Sequence, residues 1–120
     1  MSSISIFLIV LIALEHLSFM VLEMFFWSKP LGRRVFKHTV FEAKKTETLA
    51  KNQGLYNGFL AAGLFWALLH PNQEVAIQIS TFFLLCVIVA GVYGAYSAHK
   101  KILFVQALPA FLAITTLFVF

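Results

Sequence analysis

From Ile4 to Trp27 the chain runs almost unbroken in apolar residues, yet it carries Glu15, His16 and Glu23 inside that run. About 20 apolar residues suffice for a helix to cross a bilayer, so this stretch reads as a membrane span. Each charged side chain within such a span costs about 2.5–3.5 kcal/mol on insertion scales and calls for a partner, a proton or water. The remaining chain is thereby constrained to supply those partners.

The composition agrees with that reading. The chain is 61% hydrophobic and 12% charged, with a mean hydropathy of +0.90, and its charged fraction is about half that of an ordinary soluble domain. The expected architecture is all-α, an integral membrane four-helix bundle folded as a single domain over residues 1–120. Its spans fall at about 4–27, 49–69, 75–97 and 102–120, joined after the first span by a cytoplasmic connection over 28–48. These spans use nearly the whole chain and leave no room for a separate soluble domain.

The formal charge of +4 does not point to nucleic acid, because all nine Lys and Arg lie between Lys29 and Lys51 or at Lys100-Lys101. The N-terminus and the connection His70 to Glu74 contain none. By the positive-inside rule, both termini and the second connection face outward, and the first and third connections face the cytoplasm. The basic loop Lys29–Lys51 is then expected to meet anionic headgroups. A cleaved signal peptide is the competing reading of the first segment, but its start lacks a basic region and its apolar run contains Glu15 and His16. Cys86 is the single cysteine, so no intrachain disulfide forms.

Local signals place the remaining elements. In Lys29-Pro30-Leu31-Gly32-Arg33-Arg34, Pro and Gly are expected to stop the first helix. Thr39 and Glu42 have the spacing of a capping box, so a second helix starts near Val40 and enters the membrane near Leu49. That span opens with Asn52-Gln53-Gly54-Leu55-Tyr56-Asn57-Gly58, too polar to face lipid. Gln53 with Asn57, and Asn52 with Tyr56, stand at i, i+4 and make a polar stripe, while Gly54, Gly58 and Ala62 form a close-packing ridge. Asn72 is placed to cap the third membrane helix. Pro109 frees the carbonyl of Val105 and invites a kink in the last.

With alternating topology, Glu23, Asn52, Gln53, Tyr56, Asn57, Tyr93, Tyr96 and Gln106 fall in one cytoplasmic-side layer to which all four spans contribute. Glu15 and His16 lie deeper, about 12 Å from Glu23 at 1.5 Å per residue. A cytoplasm-facing polar cavity ending at Glu15 or His16 follows as an expectation. The competing reading for Glu23 and the amide stripe is a satisfied hydrogen-bond cluster that fixes helix register. The tyrosines are most simply belt or packing residues. A metal site at Glu15, His16 and Glu23 would need a further ligand from another helix, so neither a metal nor a cofactor is expected.

The motifs Leu14-Glu15-His16, Leu22-Glu23-Met24, Asn52 to Gly63, Ala90-Gly91-Val92-Tyr93-Gly94 and Gln106-Ala107-Leu108-Pro109-Ala110 together resemble the domain-of-unknown-function 1304 family of small bacterial membrane proteins. The resemblance implies a four-helix membrane protein and brings no established activity. Three function classes remain. The first is a protein that binds, and by extension transports, a small lipophilic or cationic ligand; small multidrug-resistance exporters are similar in length and in a mid-membrane Glu, but the one-sided basic residues disfavour their dual topology. The second is a membrane-embedded acid-base enzyme acting on a lipophilic substrate. The third is an accessory protein, or a homo-oligomer, whose polar layer is structural.

Overall fold

A computed structural model describes residues 1–120 and is all-helical, with no strand. Helix α1 covers Ser3–Phe25, α2 Pro30–Phe36, α3 Val40–Leu69, α4 Gln73–Ser97 and α5 Leu108–Val119; a π-helical turn, Leu103–Ala107, runs directly into α5. Two of these helices, α1 and α4, are long and apolar enough to cross a membrane. Only 28% of the most apolar stretch of each is buried within the protein.

Helix starts follow local chemistry. At the head of α3, the Thr39 amide donates to Glu42 Oε1 at 2.9 Å and the Glu42 amide to Thr39 Oγ1 at 3.1 Å, the reciprocal pair of a capping box. Asn72 caps α4 by accepting from the Val75 amide at 3.1 Å. The Pro-Gly run after α1 behaves differently from the expected plain break, because it starts the short helix α2. Pro30 sits in the first turn, where its missing N–H costs nothing. Gly32 is buried, and a Cβ there would stand 1.9 Å from the Phe26 carbonyl oxygen, so only glycine lets α2 fold against the end of α1. The helix ends at Lys37 in the left-handed region, φ 54°.

Packing divides the chain into two compact units, Met1–Leu14 with Leu60–Phe120, and Glu15–Phe59. In the first, Ile9, Ile12 and Ala13 of α1, Leu64 of α3, Leu84 and Val87 of α4, and Ala110 and Ala113 of α5 form one core with almost no exposure. Small residues let these helices approach closely. A Cβ on Gly91 would lie 2.7 Å from the Ala107 amide nitrogen, inside the π-helical turn. Pro109 accounts for that turn, since it has no N–H to return to Val105, and the Leu108 amide bonds back to Leu103 instead. A buried hydroxyl pair, Ser5 Oγ donating to Thr116 Oγ1 at 2.8 Å, joins α1 to α5.

In the second unit, Trp27 organises the connection. Its indole N–H donates to Thr46 Oγ1 at 3.1 Å, and its ring packs on Phe36 and His38 with centroids 4.7 and 4.4 Å apart. His38 Nε2 in turn lies 3.0 Å from the Trp27 carbonyl oxygen. The C-terminal end of α2 is thus held against Trp27.

Candidate functional site

Glu23 is the best-enclosed carboxyl in the protein, with only 2% of the residue exposed. Asn57 Nδ2 donates to its Oε1 and Gln53 Nε2 to its Oε2, both at 2.5 Å. The i, i+4 spacing of Gln53 and Asn57 on α3 sets the two amides one turn apart, so each reaches one oxygen. Gly54 lies between them and allows the approach: a Cβ there would meet Met24 Cγ at 2.7 Å, Glu23 Cβ at 3.0 Å and the Met20 carbonyl at 3.1 Å. Both carboxyl oxygens are therefore satisfied by a neighbouring helix, at a seam kept close by glycine.

Two turns toward the N-terminus, Glu15 has a different environment. Its Oε1 is buried with no hydrogen-bond partner. His16 Nδ1 stands 3.8 Å away, beyond hydrogen-bond reach, and the His16 side chain is fully buried with its ring edge-on to Phe19 at 5.5 Å. The Glu15 side chain keeps 25% of its surface exposed. Glu15 thus combines one buried oxygen that accepts no hydrogen bond with a side chain that still reaches the surface. The other buried oxygen without a partner, Ser80 Oγ, belongs to a neutral hydroxyl, for which the cost is smaller.

The remaining candidates divide. Gln53 and Asn57 meet Glu23, whereas Asn52 and Tyr56 of the same stripe are exposed, the Tyr56 ring packing on Phe59 at 5.8 Å. Tyr93 and Tyr96 are exposed near the end of α4. Gln106 is half-buried within the π-helical turn, a local geometry that Pro109 signals without specifying. Two clefts stand out on the surface, one lined by Glu74, Gln78 and Phe118 among others, the second by Ser28, Lys29 and Glu47 among others; Glu15, His16 and Glu23 line neither. Nowhere do three or more His, Cys, Asp or Glu side chains gather as a metal site requires.

Sequence reasoning missed the contacts that tie the connection to α3. Ser28 donates a hydrogen bond to Glu47 Oε2, and Trp27 to Thr46. The adjacent pair Thr46-Glu47 facing Trp27-Ser28 carries no periodic signal. The clustering of cations around Glu47 was the available hint.

Residues 10–118 match the family described as Protein of unknown function (DUF1304). The chain belongs to this family. A relative from Lactococcus lactis subsp. lactis (strain IL1403), named uncharacterized protein YpaA, is 34% identical to it over 98% of this chain and 99% of its own length. No solved structure matches.

Proposed function

We propose that this chain is a multi-pass protein of the bacterial inner membrane that binds a small lipophilic cation at Glu15. The reading rests on one observation, the buried Glu15 Oε1 that no protein group satisfies. An orphaned carboxyl oxygen disfavours the protein alone and favours a complex with a proton or a cation that reaches it. Lipophilic character follows from the neighbours along α1, Leu11, Leu14 and Leu17, all exposed and apolar.

The membrane assignment is supported by the many large apolar side chains on the outside, among them Phe7, Leu11, Phe82, Val89, Phe111 and Phe118. A bilayer solvates such a surface, which water does not. Four spans, with both termini outside, extend the assignment to α3 and to the π-helical turn with α5. The basic connection Lys29–Lys51 then faces the cytoplasm. Transport is the extension of binding in which the cation leaves on the opposite side.

A second reading applies to Glu23 alone. Its oxygens are both occupied by Asn57 and Gln53, which favours a structural lock over a binding group.

The test uses the full chain in neutral detergent with tetraphenylphosphonium as the probe. The parent binds it saturably, and Glu15→Gln weakens binding by about tenfold or more, the loss of one charge pair in a desolvated setting. Equal binding by parent and variant overturns the reading. Labelling of cysteines introduced at both termini of whole cells tests the orientation, with labelling from the outside expected.

A further inference from the structure

The second cleft, about 360 Å³, lies at the junction between the end of α1 and α3 and does not involve Glu15. Three lysines line it: Lys29 from the connection, and Lys44 and Lys51 from α3. Seven residues apart, Lys44 and Lys51 share a face of the helix, with Glu47 between them. Glu47 is the one anion in the lining, against three cations. Its carboxylate accepts from Ser28 and from Lys44 at 3.5 Å, and lies 3.6 Å from Lys51 Nζ. The Ser28 hydroxyl first, and then the two lysines, hold the Glu47 carboxyl below its ordinary pKa, so it stays ionised and neutralises one of the three cations. Both lysines share that single carboxylate, so three lysines against one glutamate leave the lining with a net formal charge of +2.

The lining also has apolar members. Met24 and Phe25 line the cleft, and Phe25 is 61% exposed. Trp27, tethered through its indole N–H to Thr46, adds a fixed aromatic residue to the lining. Excess positive charge beside an apolar wall is complementary to an anion, above all an anion on an acyl chain.

We propose that this cleft binds a phosphate-bearing anion, with Lys29, Lys44 and Lys51 as its charge partners and Met24 and Phe25 beside any attached acyl chain. A phosphate presents several terminal oxygens in different directions, which suits ammonium groups arriving from two separate segments better than a planar carboxylate does. Lys29 Nζ, lying over the Phe26 ring at 5.6 Å, is tethered only by a cation-π contact and is available to move onto a ligand.

The test titrates the purified full chain, in neutral detergent, with short-chain phosphatidic acid, short-chain phosphatidylcholine and inorganic phosphate. Phosphatidic acid is expected to bind saturably and phosphatidylcholine at least about tenfold more weakly, because its own choline already neutralises the phosphate. Lys29→Ala with Lys51→Ala lowers phosphatidic acid affinity about tenfold or more. Lys37→Ala with Lys45→Ala removes the same charge from positions outside the cleft, and leaves affinity within about twofold. Inorganic phosphate that competes at equal affinity assigns the site to the free anion; phosphatidic acid binding far more tightly assigns it to a lipid headgroup. Equal losses in the two double variants, equal binding of the two lipids, or no saturable binding of either phosphate probe would overturn the proposal.

Discussion

Glu15 and Glu23 are the same side chain on the same helix, about two turns apart, and they differ in what meets them. Both oxygens of Glu23 receive amide donors from α3, while the buried oxygen of Glu15 receives none. The difference teaches that a carboxyl embedded in an apolar helix is not by itself a functional sign. The partner that the rest of the chain does or does not bring decides its role.

The sharpest way to break the comparison is to remove a partner of Glu23. Asn57→Leu leaves Oε1 buried without a donor and is expected to lower stability by about 3 kcal/mol. Glu23→Met combined with Asn57→Leu replaces the carboxyl and its buried amide partner by apolar groups, leaves only the exposed Gln53 without its acceptor, and recovers most of that loss. Denaturant unfolding in detergent measures both. A single variant as stable as the double would show that Glu23 does not depend on its lock.

Next in size is the glycine seam beside Glu23. Gly54→Ala drives a methyl against Glu23 Cβ and the Met20 backbone carbonyl, which cannot swing aside, and should cost about 2 kcal/mol. Gly58→Ala meets only the Met20 side chain, a flexible thioether, and should cost well under about 1 kcal/mol. Thermal unfolding of the two variants side by side shows whether close backbone approach or mere small size matters at this seam.

Glu15 predicts the opposite sign. Glu15→Leu removes an unsatisfied buried oxygen, so the variant should gain about 1 kcal/mol in stability while losing tetraphenylphosphonium binding. Destabilisation comparable to that of Asn57→Leu would place Glu15 among the structural residues with Glu23.

The smallest effect concerns a carboxyl outside the apolar segments, which shows what full hydrogen bonding does in water. The Thr39 backbone amide first, and then its hydroxyl, hold the Glu42 carboxyl below its ordinary value of 4.5. A folded-state pKa below the unfolded one adds stability above the unfolded value, and that stability is lost as pH falls through the folded value. Protection of the first-turn amides of α3, measured as exchange relative to the intrinsic rate at each pH, should therefore fall below about pH 4.5 in the parent. Thr39→Ala should exchange faster already at neutral pH and show a weaker acid dependence. An unchanged pH profile in the variant would mean that the capping box does not hold the start of α3.

Much of the local structure was written in the sequence. Apolar runs specified long helices, Thr39 with Glu42 marked the start of α3, Asn72 that of α4, and the spacing of Gln53 and Asn57 put two amides on one face. Each of those signals acts within a turn or two, so it can be read without knowing the fold. Pro30 and Gly32 read as a break yet open a helix, because the need for glycine comes from the Phe26 carbonyl, whose position depends on how the chain turns back. Pro109 accounts for the π-helical turn, but the close approach of Gly91 to Ala107 within it is set only by how the helices meet.

The candidate site divides along the same line. Sequence alone determined that Glu15, His16 and Glu23 lie in an apolar helix and require partners, since burial of charge is costly wherever it occurs. Only the tertiary structure decided that Glu23 receives Gln53 and Asn57, that Glu15 Oε1 goes without, and that Ser28 meets Glu47 beside three lysines. A hydrogen bond forms or fails within a few tenths of an ångström, and positions 19 to 34 residues apart in the chain acquire that accuracy only when helices pack.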